Sequence, residues 1–217
     1  MTAIVLLSGG QDSATCLAVA SSKHSKIHCI AFNYNQRHII ELDYARKLAS
    51  LVNATFQVID ARFLSQLSQS AMLNNSQEIR HEDGQLPTTF VPGRNSLFLT
   101  IAGAIAYERQ ASVIYTGVCQ TDYSGYPDCR YDFIKSQEQT LSLAMDRSIK
   151  IETPLMYLTK SKTVQLMQTL GHLDWYKSTH TCYKGQRPAC GQCPSCKLRL
   201  KGFLDAGIPD PLGYQKI

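Results

Sequence analysis

The hydrophobic positions of the chain fall into short continuous runs, separated by longer segments in which they recur at helical spacing. Short runs rich in Val, Ile, Phe and Tyr are typical of strands that are buried on both faces of a sheet. They predict five strands, which cover residues 3–7, 26–34, 55–60, 112–118 and 149–154.

The segments between these runs predict helices. In the segment 41–53, five apolar side chains recur along one helical face: Leu42, Ala45, Leu48, Ala49 and Val52. The segment 95–110 is mostly apolar and predicts a buried helix. The other predicted helices cover residues 13–22 and about 132–145, and a last one ends near Gly171. Residues 74–89 are polar and contain Gly and Pro, which predicts a long loop.

Strands that alternate with helices of this length imply an α/β fold with a parallel, Rossmann-like doubly wound sheet, covered by helices on both faces. Ligands of such sheets bind at the carboxyl ends of the strands. The alternation stops at about residue 172, and four cysteines cluster beyond that point. We therefore predict an α/β domain over residues 1–171 and a small C-terminal module over residues 172–217.

The composition of the chain limits the classes of protein to which it can belong. The 217 residues, 44% of them hydrophobic, are enough for one sizeable core. A net charge of +5 without a long basic run suits anionic small molecules and disfavours a dedicated nucleic-acid binder. The apolar stretch 97–107 is too short to cross a bilayer, and the N-terminal apolar run has no basic lead. We expect a cytoplasmic protein with no membrane attachment and no stable nucleic-acid partner.

The first predicted strand ends in SGGQDS, residues 8–13, where a ligand is expected to bind. Gly9 and Gly10 leave no side chain between the backbone amides and a ligand, and the next helix adds the positive end of its dipole. Successive amides of this kind form an anion cradle, to which Ser8 and Ser13 add hydroxyl donors. Asp12 would repel a bare phosphate, so it suggests a Mg²⁺ ion that bridges carboxylate and phosphates.

The alternative is an ordinary strand-to-helix turn that needs glycine for its geometry alone. Neither G-x-x-x-x-G-K-[ST] nor G-x-G-x-x-G occurs in the chain, which excludes a Walker loop and a dinucleotide fingerprint. SGGQDS instead resembles the pyrophosphate loop of the ATP pyrophosphatase superfamily, whose fold is adenine nucleotide α-hydrolase-like. The resemblance implies that ATP is split between its α and β phosphates and that an oxygen of the substrate is adenylated. It implies ATP contacts from Leu7, Ser8, Gly9, Gly10, Gln11, Asp12, Ser13, Ala14 and Thr15.

Four of the eight cysteines cluster near the C-terminus: Cys182, Cys190, Cys193 and Cys196. In a reducing compartment such a set indicates metal binding or catalysis rather than disulfides. The C-x-x-C spacings let thiolates converge on one tetrahedral ion, and four soft ligands leave no open position, which favours a structural Zn²⁺. The alternatives are an iron–sulfur cluster on three of the cysteines, or a redox or sulfur-transfer dithiol.

Three more segments carry candidate binding residues. FNYNQRH, residues 32–38, would lie beside the glycine turn and offers Arg37, although a polar strand end would leave Arg37 and His38 solvated. Arg94 begins a predicted helix and suits a phosphate or carboxylate clamp, while Asn95 could be the N-cap of that helix. Lys160 and Lys162 begin another helix, where cations oppose the helix dipole unless an anionic ligand is present.

The segment 116–130 follows the fourth predicted strand and combines aromatic rings with carboxylates. Such a set suits a flat, amide-bearing base, because the rings stack on it and Asp accepts from its ring N–H and amino groups. A turn-rich surface loop is the alternative. The candidate substrate-binding residues are Arg37 together with Asp122, Tyr123, Ser124, Tyr126, Asp128 and Arg130.

Taken together, SGGQDSAT, YNQRH, PGRN, TGVCQTDYSGYPDCR, FIKS, TPL and TCY…CGQCPSCKLR resemble the 7-cyano-7-deazaguanine synthase family of queuosine biosynthesis. The resemblance covers nearly the whole chain. It implies a homodimer that converts 7-carboxy-7-deazaguanine and ammonia to the nitrile, with ATP adenylating first the carboxylate and then the amide. Catalysis would come from positioning and charge stabilisation, and the sequence indicates no clear general base. The predicted catalytic residues are Ser8, Asp12, Ser13, Arg94 and Lys160.

Two other functions stay open at this point. A tRNA thiolation enzyme shares the pyrophosphate loop, but it would need two reactive thiols and an RNA-binding surface. A zinc-containing regulator would bind a nucleotide without turning it over. Nothing in the chain resembles a glutaminase, so free ammonia is the expected nitrogen source for a synthase.

Overall fold

The computed structural model describes residues 2–80, 85–121 and 125–215. In these ranges five parallel strands form one sheet with the order β3-β2-β1-β4-β5. The strands are β1 (Thr2–Leu6), β2 (Lys26–Asn33), β3 (Thr55–Asp60), β4 (Val113–Tyr115) and β5 (Lys150–Glu152). The predicted α/β class and all five predicted strands are confirmed, although β4 and β5 are shorter than the apolar runs that contain them.

Six α-helices connect and cover the strands. They are α1 (Gln11–Ser21), α2 (Glu41–Leu51), α3 (Arg94–Glu108), α4 (Tyr131–Ala144), α5 (Lys160–Thr169) and α6 (Pro194–Ala206). Short 3₁₀ segments occur at Arg62–Gln66, Pro127–Cys129 and Leu173–Ser178. The described residues of the predicted loop, 74–80 and 85–89, contain no helix or strand. No helix in the described ranges is both long and apolar enough to span a membrane.

Helix α6 is the element that the hydrophobic pattern did not predict. Its buried residues are Cys196, Arg199, Gly202 and Phe203, which do keep helical spacing. Three of them are a thiol, a guanidinium and a glycine, which a search for apolar side chains does not count. The buried residues of α6 therefore keep helical spacing, but most of them are not the large apolar side chains by which a buried helix face is usually predicted.

The order of the strands determines where a ligand can bind. The chain runs from β1 through β2 to β3 on one side, and then places β4 and β5 on the other side of β1. Val5 of β1 pairs with Cys29 of β2 and with Tyr115 of β4. The direction of winding thus reverses between β1 and β4, and a crevice opens there at the carboxyl ends of the strands.

The pleat of β1 sends alternate side chains to the two faces of the sheet. Ala3 and Val5 are fully buried in a layer that contains residues of α1, α2, α5 and α6. Ile4 is fully buried in the opposite layer, against residues of α3 and α4. The sheet is therefore covered on both faces, as its continuous apolar strands predicted.

The segment beyond residue 172 contributes side chains to the main hydrophobic core and also to a second, smaller core around the cysteines. Trp175, Tyr176 and Phe203 belong to the same apolar layer as α1 and β1. A second, smaller cluster surrounds the four cysteines and includes Ala189. The boundary at residue 172 therefore stays a proposal about a functional module, since the hydrophobic core itself runs across it.

The close packing at Gly9 leads to a prediction about the stability of a variant with a side chain at this position. Gly9 has φ of +87°, and a Cβ built on it would lie 2.2 Å from the carbonyl oxygen of Glu41. Gly207 has φ of +68°, but a Cβ there would meet nothing within 4 Å. We expect Gly207→Ala to cost about 1–2 kcal/mol, the price of a left-handed conformation alone. Gly9→Ala adds a clash with the backbone of α2, so its expected cost is roughly 3–4 kcal/mol.

Urea denaturation of both variants measures the two costs. A larger loss for Gly9→Ala than for Gly207→Ala supports the close approach to α2. Equal losses in the two variants would contradict it, because the backbone conformation would then account for the whole effect.

Candidate active site

The glycine turn joins β1 to α1 and is packed from two sides. Gly10 is the N-cap of α1, so the amides of the next residues point out of the first helical turn. The Gly9 carbonyl accepts a hydrogen bond of 2.8 Å from the backbone N–H of His180. The Ser8 hydroxyl donates to that of Ser13 over 3.2 Å, and Ser13 donates to the Gly10 carbonyl over 3.1 Å. The turn is therefore a rigid arrangement of donors at the start of a helix, which is the geometry of an anion site.

The end of β4 closes against the same turn. A Cβ built on Gly117 would lie 3.1 Å from the carbonyl carbon of Asp12 and 3.2 Å from the amide nitrogen of Ser13. A side chain at Gly117 would force the backbone of α1 to move by a few tenths of an ångström, so glycine allows this close approach. Gly117 is a site residue that the sequence analysis missed, although a glycine directly after a strand at the ligand edge could have indicated it.

Lys160 and Asp12 form an ion pair across 148 residues of sequence. The Lys160 ammonium donates to Asp12 Oδ2 over 2.6 Å, and the Lys160 side chain is 13% exposed. Helix α6 packs directly on this lysine, because a Cβ on Gly202 would lie 2.5 Å from the Lys160 Cβ. The structure thus brings Lys160 to the glycine turn, beside two of the predicted catalytic residues.

Asp12 keeps one oxygen available at this point. Its Oδ1 is buried and has no hydrogen-bond partner among the described residues. A buried carboxylate oxygen without a donor suits a hard divalent cation, which prefers oxygen ligands. The residues present at the turn therefore fit a Mg²⁺ ion.

A cavity of about 340 Å³ opens in front of the turn. This volume is in the usual range for small-molecule sites. Its walls come from the ends of β1, β2 and β4, from α2 and α3, and from the C-terminal segment. The polar lining residues include Ser8, Gln11, Asp12, Ser13, His38, Glu41, Arg94, Asn95, Tyr126, Lys160, Tyr183 and Arg199.

Arg94 lies on the cavity wall between two tyrosines. Its guanidinium carbon is 5.8 Å from the ring centroid of Tyr34 and 5.9 Å from that of Tyr126. The Tyr126 hydroxyl is 2.5 Å from the Thr89 hydroxyl, and its ring stacks on Phe90 at 5.7 Å. Burial raises the pKa of Tyr126, so it stays a neutral phenol. This half of the cavity combines a fixed cation with aromatic faces, which suits a flat anionic ligand.

Asn95 and Asp128 hold this wall in place. Asp128 Oδ2 accepts from the Asn95 amide N–H over 3.1 Å, and the Asn95 side chain donates to the Asp128 carbonyl over 3.1 Å. Asn95 is therefore a helix residue that ties the segment 127–129 to α3, and the N-cap of α3 is Gly93. Burial raises the pKa of Asp128, while the Asn95 N–H and the charge of Arg94 oppose that shift.

The other predicted substrate residues have different surroundings. The Arg37 guanidinium donates to the carbonyls of Asn74 and Gln77, so it anchors the loop after β3, and it does not line the cavity. Arg130 is exposed at the start of α4. Asp122, Tyr123 and Ser124 lie outside the described residues. Substrate contacts from these five residues stay predictions.

The segment after β2 contains a buried polar cluster that the sequence analysis did not identify. His38 is 6% exposed and pairs with Glu41, with Nε2 and Oε2 3.1 Å apart. Gln36 donates to Glu41 Oε1 over 3.0 Å and to the Phe32 carbonyl over 3.0 Å. The alternative of a solvated His38 is therefore wrong, because the cavity wall buries it.

The C-terminal segment forms the opposite wall through Arg199. This arginine is 1% exposed and forms a two-pronged ion pair with Asp210, at 2.8 Å from Nε and 2.9 Å from the second nitrogen. It also donates to the Thr179 hydroxyl over 2.7 Å. The Tyr214 hydroxyl donates to Asp210 over 2.6 Å. One buried cation thus connects α6, the segment before the cysteines and the C-terminal tail.

The four clustered cysteines converge as predicted. All four are buried, and their sulfur atoms lie within 4.8 Å of one another. The backbone amides of Gln192 and Cys193 donate to the Cys190 sulfur over 3.4 and 3.3 Å. This set could hold a metal ion.

Comparison with known proteins assigns the chain to a family and identifies structures with a similar fold. Over residues 2–207 the chain matches the family described as queuosine biosynthesis protein QueC. A 7-cyano-7-deazaguanine synthase from Chromobacterium violaceum is 49% identical over 215 residues, covering 97% of this chain and 92% of that protein. NMN synthetase from Francisella tularensis has a TM-score of 0.52 at 18% identity, covering 96% of this chain and 77% of that one. A 4-thiouridine synthetase in complex with RNA and ATP has a TM-score of 0.52 at 16% identity, covering 95% and 50%.

The parallel sheet with its glycine turn defines an α/β protein with the adenine nucleotide α-hydrolase-like fold. Within that class, the chain belongs to the QueC family of queuosine biosynthesis. The likeness to the thiouridine synthetase is one of fold alone, so it does not favour tRNA thiolation. Because the chain belongs to a family with relatives that are named as synthases, we conclude that it is an enzyme. The hypothesis of a regulator that binds a nucleotide without catalysis is therefore not supported.

The buried Arg199–Asp210 pair predicts a large loss of stability when one partner changes. Asp210→Asn keeps the shape of the side chain but leaves the buried guanidinium without its counter-charge, so we expect a cost of about 3–5 kcal/mol. Asp205→Asn is the matched control, because the Lys201–Asp205 pair on α6 is exposed. Its expected cost is below about 0.5 kcal/mol.

Urea denaturation of both variants measures these costs. Similar small losses in the two variants would show that the Arg199 network does not hold the C-terminal segment.

Proposed function

We propose that the chain is an ATP-dependent carbon–nitrogen ligase that converts 7-carboxy-7-deazaguanine and ammonia to 7-cyano-7-deazaguanine. The observation that carries the proposal is that the glycine turn, the Lys160–Asp12 pair and Arg94 line one cavity. Membership of the QueC family, with a relative named for the nitrile product, supports this substrate.

The two ends of the cavity suit two parts of the reaction. At one end, the backbone amides in the first turn of α1, at Gln11, Asp12 and Ser13, would bind the phosphates of ATP, and Lys160 adds a cation for the developing pyrophosphate. Mg²⁺, held by Asp12, would neutralise phosphate charge there. At the other end, Arg94 and the rings of Tyr34 and Tyr126 would hold the flat substrate with its carboxylate towards the nucleotide.

The chemistry follows from the poor reactivity of a carboxylate. Attack of a carboxylate oxygen on the α-phosphorus of ATP releases pyrophosphate and gives an acyl adenylate, whose AMP is a good leaving group. Ammonia displaces AMP and forms the amide. Adenylation of the amide oxygen and loss of AMP then leave the nitrile. The protein contributes mainly by holding the reacting atoms in line and by stabilising charge.

Mass spectrometry of the products tests this proposal. Pure protein with ATP, Mg²⁺, ammonium and 7-carboxy-7-deazaguanine is expected to yield the nitrile, AMP and pyrophosphate. Release of the amide as the end product would confine the enzyme to the first step. Turnover with glutamine in place of ammonium would contradict free ammonia as the nitrogen source, and no reaction would overturn the substrate assignment.

Zinc is the proposed occupant of the four-cysteine cluster, because four thiolates form a closed tetrahedral set. We expect about one zinc ion per chain, and loss of most of it in Cys193→Ser, since a hydroxyl is a poor ligand for zinc. Cys16→Ala is the control, because Cys16 is a fully buried core residue outside the four-cysteine cluster. Elemental analysis of both variants checks the result, and iron with labile sulfide in the wild type would contradict zinc.

The remaining assignments are proposals from the family resemblance. The chain is proposed to act in the cytoplasm as a homodimer, on small molecules and without a stable nucleic-acid partner. The C-terminal module, residues 172–217, is proposed to support one cavity wall through its metal rather than to take part in the chemistry.

A further inference from the structure

A buried histidine on the cavity wall has one ring nitrogen that no described residue satisfies. His38 Nδ1 is buried and has no hydrogen-bond partner among the described residues. The same side chain lines the cavity and is 6% exposed. A buried polar atom without a partner destabilises the folded protein, so such atoms occur mainly where a function or a ligand explains them.

The partners of His38 determine which nitrogen carries the hydrogen. Glu41 Oε2 lies 3.1 Å from His38 Nε2, and Gln36 donates to the other Glu41 oxygen over 3.0 Å. An ionised carboxylate only accepts hydrogen bonds, so Nε2 carries the hydrogen and Nδ1 presents a lone pair. A carboxylate that orients an imidazole in this way is the arrangement of a general base.

This pair lies at the nucleotide end of the cavity. Glu41 begins α2, and its carbonyl oxygen is the atom against which Gly9 packs. Among the described residues, the titratable groups near this pair include Tyr34 after β2, which interacts with the charge of Glu41, and His180 and Tyr183 in the C-terminal segment. The Tyr183 ring centroid is 5.8 Å from that of His38.

We propose that His38, oriented by Glu41, accepts the proton that ammonia loses when its nitrogen attacks the adenylated carboxyl carbon. The inference rests on the proposed function. As the C–N bond forms, the nitrogen becomes positively charged, and one N–H proton moves to His38 Nδ1. The C–O bond to AMP then breaks, AMP leaves with the electron pair, and the imidazolium stays paired with Glu41 until its proton passes to solvent.

A purely structural role for the pair is the competing explanation. In that case Gln36, His38 and Glu41 would only hold the segment after β2 against α2. A structural role predicts that substitution harms every step of the reaction to a similar extent. A proton acceptor predicts that substitution slows the amide-forming step alone.

His38→Gln separates these two roles. The glutamine amide can still donate to Glu41, but it has no basic nitrogen. ATP–pyrophosphate exchange with 7-carboxy-7-deazaguanine, measured without ammonium, reports adenylation. Single-turnover amide formation with ammonium, followed over a range of pH, reports the attack of nitrogen. We expect exchange within about threefold of wild type and amide formation slower by roughly 10²–10⁴-fold. The two proteins are compared at the same concentration of free ammonia, because ammonium has no lone pair and cannot attack the adenylate.

Two further variants complete the design. Glu41→Gln removes the orienting charge, and we expect it to slow amide formation in the same direction while exchange persists. His24→Gln is the matched control, because His24 contacts the Tyr115 hydroxyl over 3.1 Å and does not line the cavity, so it is expected to behave as wild type. These results together would support His38 as the proton acceptor.

Three outcomes would overturn the inference. Equal losses of exchange and amide formation in His38→Gln would indicate a structural role. Absence of exchange in the wild-type protein would overturn the proposed function itself, and the inference with it, whereas wild-type exchange with an unaffected His38→Gln overturns the inference alone.

Discussion

The site depends on how closely the backbone of the glycine turn approaches its neighbours. Gly9 packs against the first turn of α2, where even a methyl group would be 2.2 Å from a carbonyl oxygen. Gly117 packs against the first turn of α1 from the other side. The backbone N–H of His180 binds the Gly9 carbonyl. Because these contacts involve backbone atoms, the turn cannot shift without moving α2, β4 or the C-terminal segment, and its amides are held ready for an anion.

The same packing explains why one cavity holds groups from distant parts of the chain. Glu41 is placed by its contact with Gly9, and His38 is placed by its pairing with Glu41. Lys160 reaches Asp12 because Gly202 lets α6 lie against the start of α5. Helix α6 is in turn held by the buried Arg199–Asp210 pair and by the cysteine cluster at its first turn. A metal in that cluster would therefore stabilise the cavity wall without touching the reacting atoms.

Several parts of this arrangement were predictable from local pattern. Continuous apolar strands and a glycine turn are short-range features. They predicted the sheet, the edge of the sheet at which a ligand is expected, and the turn that suits an anion. The convergence of the four cysteines followed from their spacing alone. Helix α6 escaped prediction because its buried face carries Cys196, Arg199 and Gly202 in addition to Phe203. His38 escaped it as well, since a histidine in a polar stretch has the same local appearance whether solvated or buried.

Local sequence pattern was enough to predict the fold class, the position of the glycine turn and the convergence of the four cysteines, because each depends on residue type at short spacing. The pairing of Lys160 with Asp12, the role of Arg37 as a loop anchor outside the cavity lining, and the burial of His38 with one ring nitrogen that has no partner among the described residues became visible only in the folded chain. Those outcomes depend on which segments pack together after the chain has crossed the sheet. Contacts between residues that are distant in the chain leave no periodic trace in the sequence, so the physical reason lies in packing and not in local propensity.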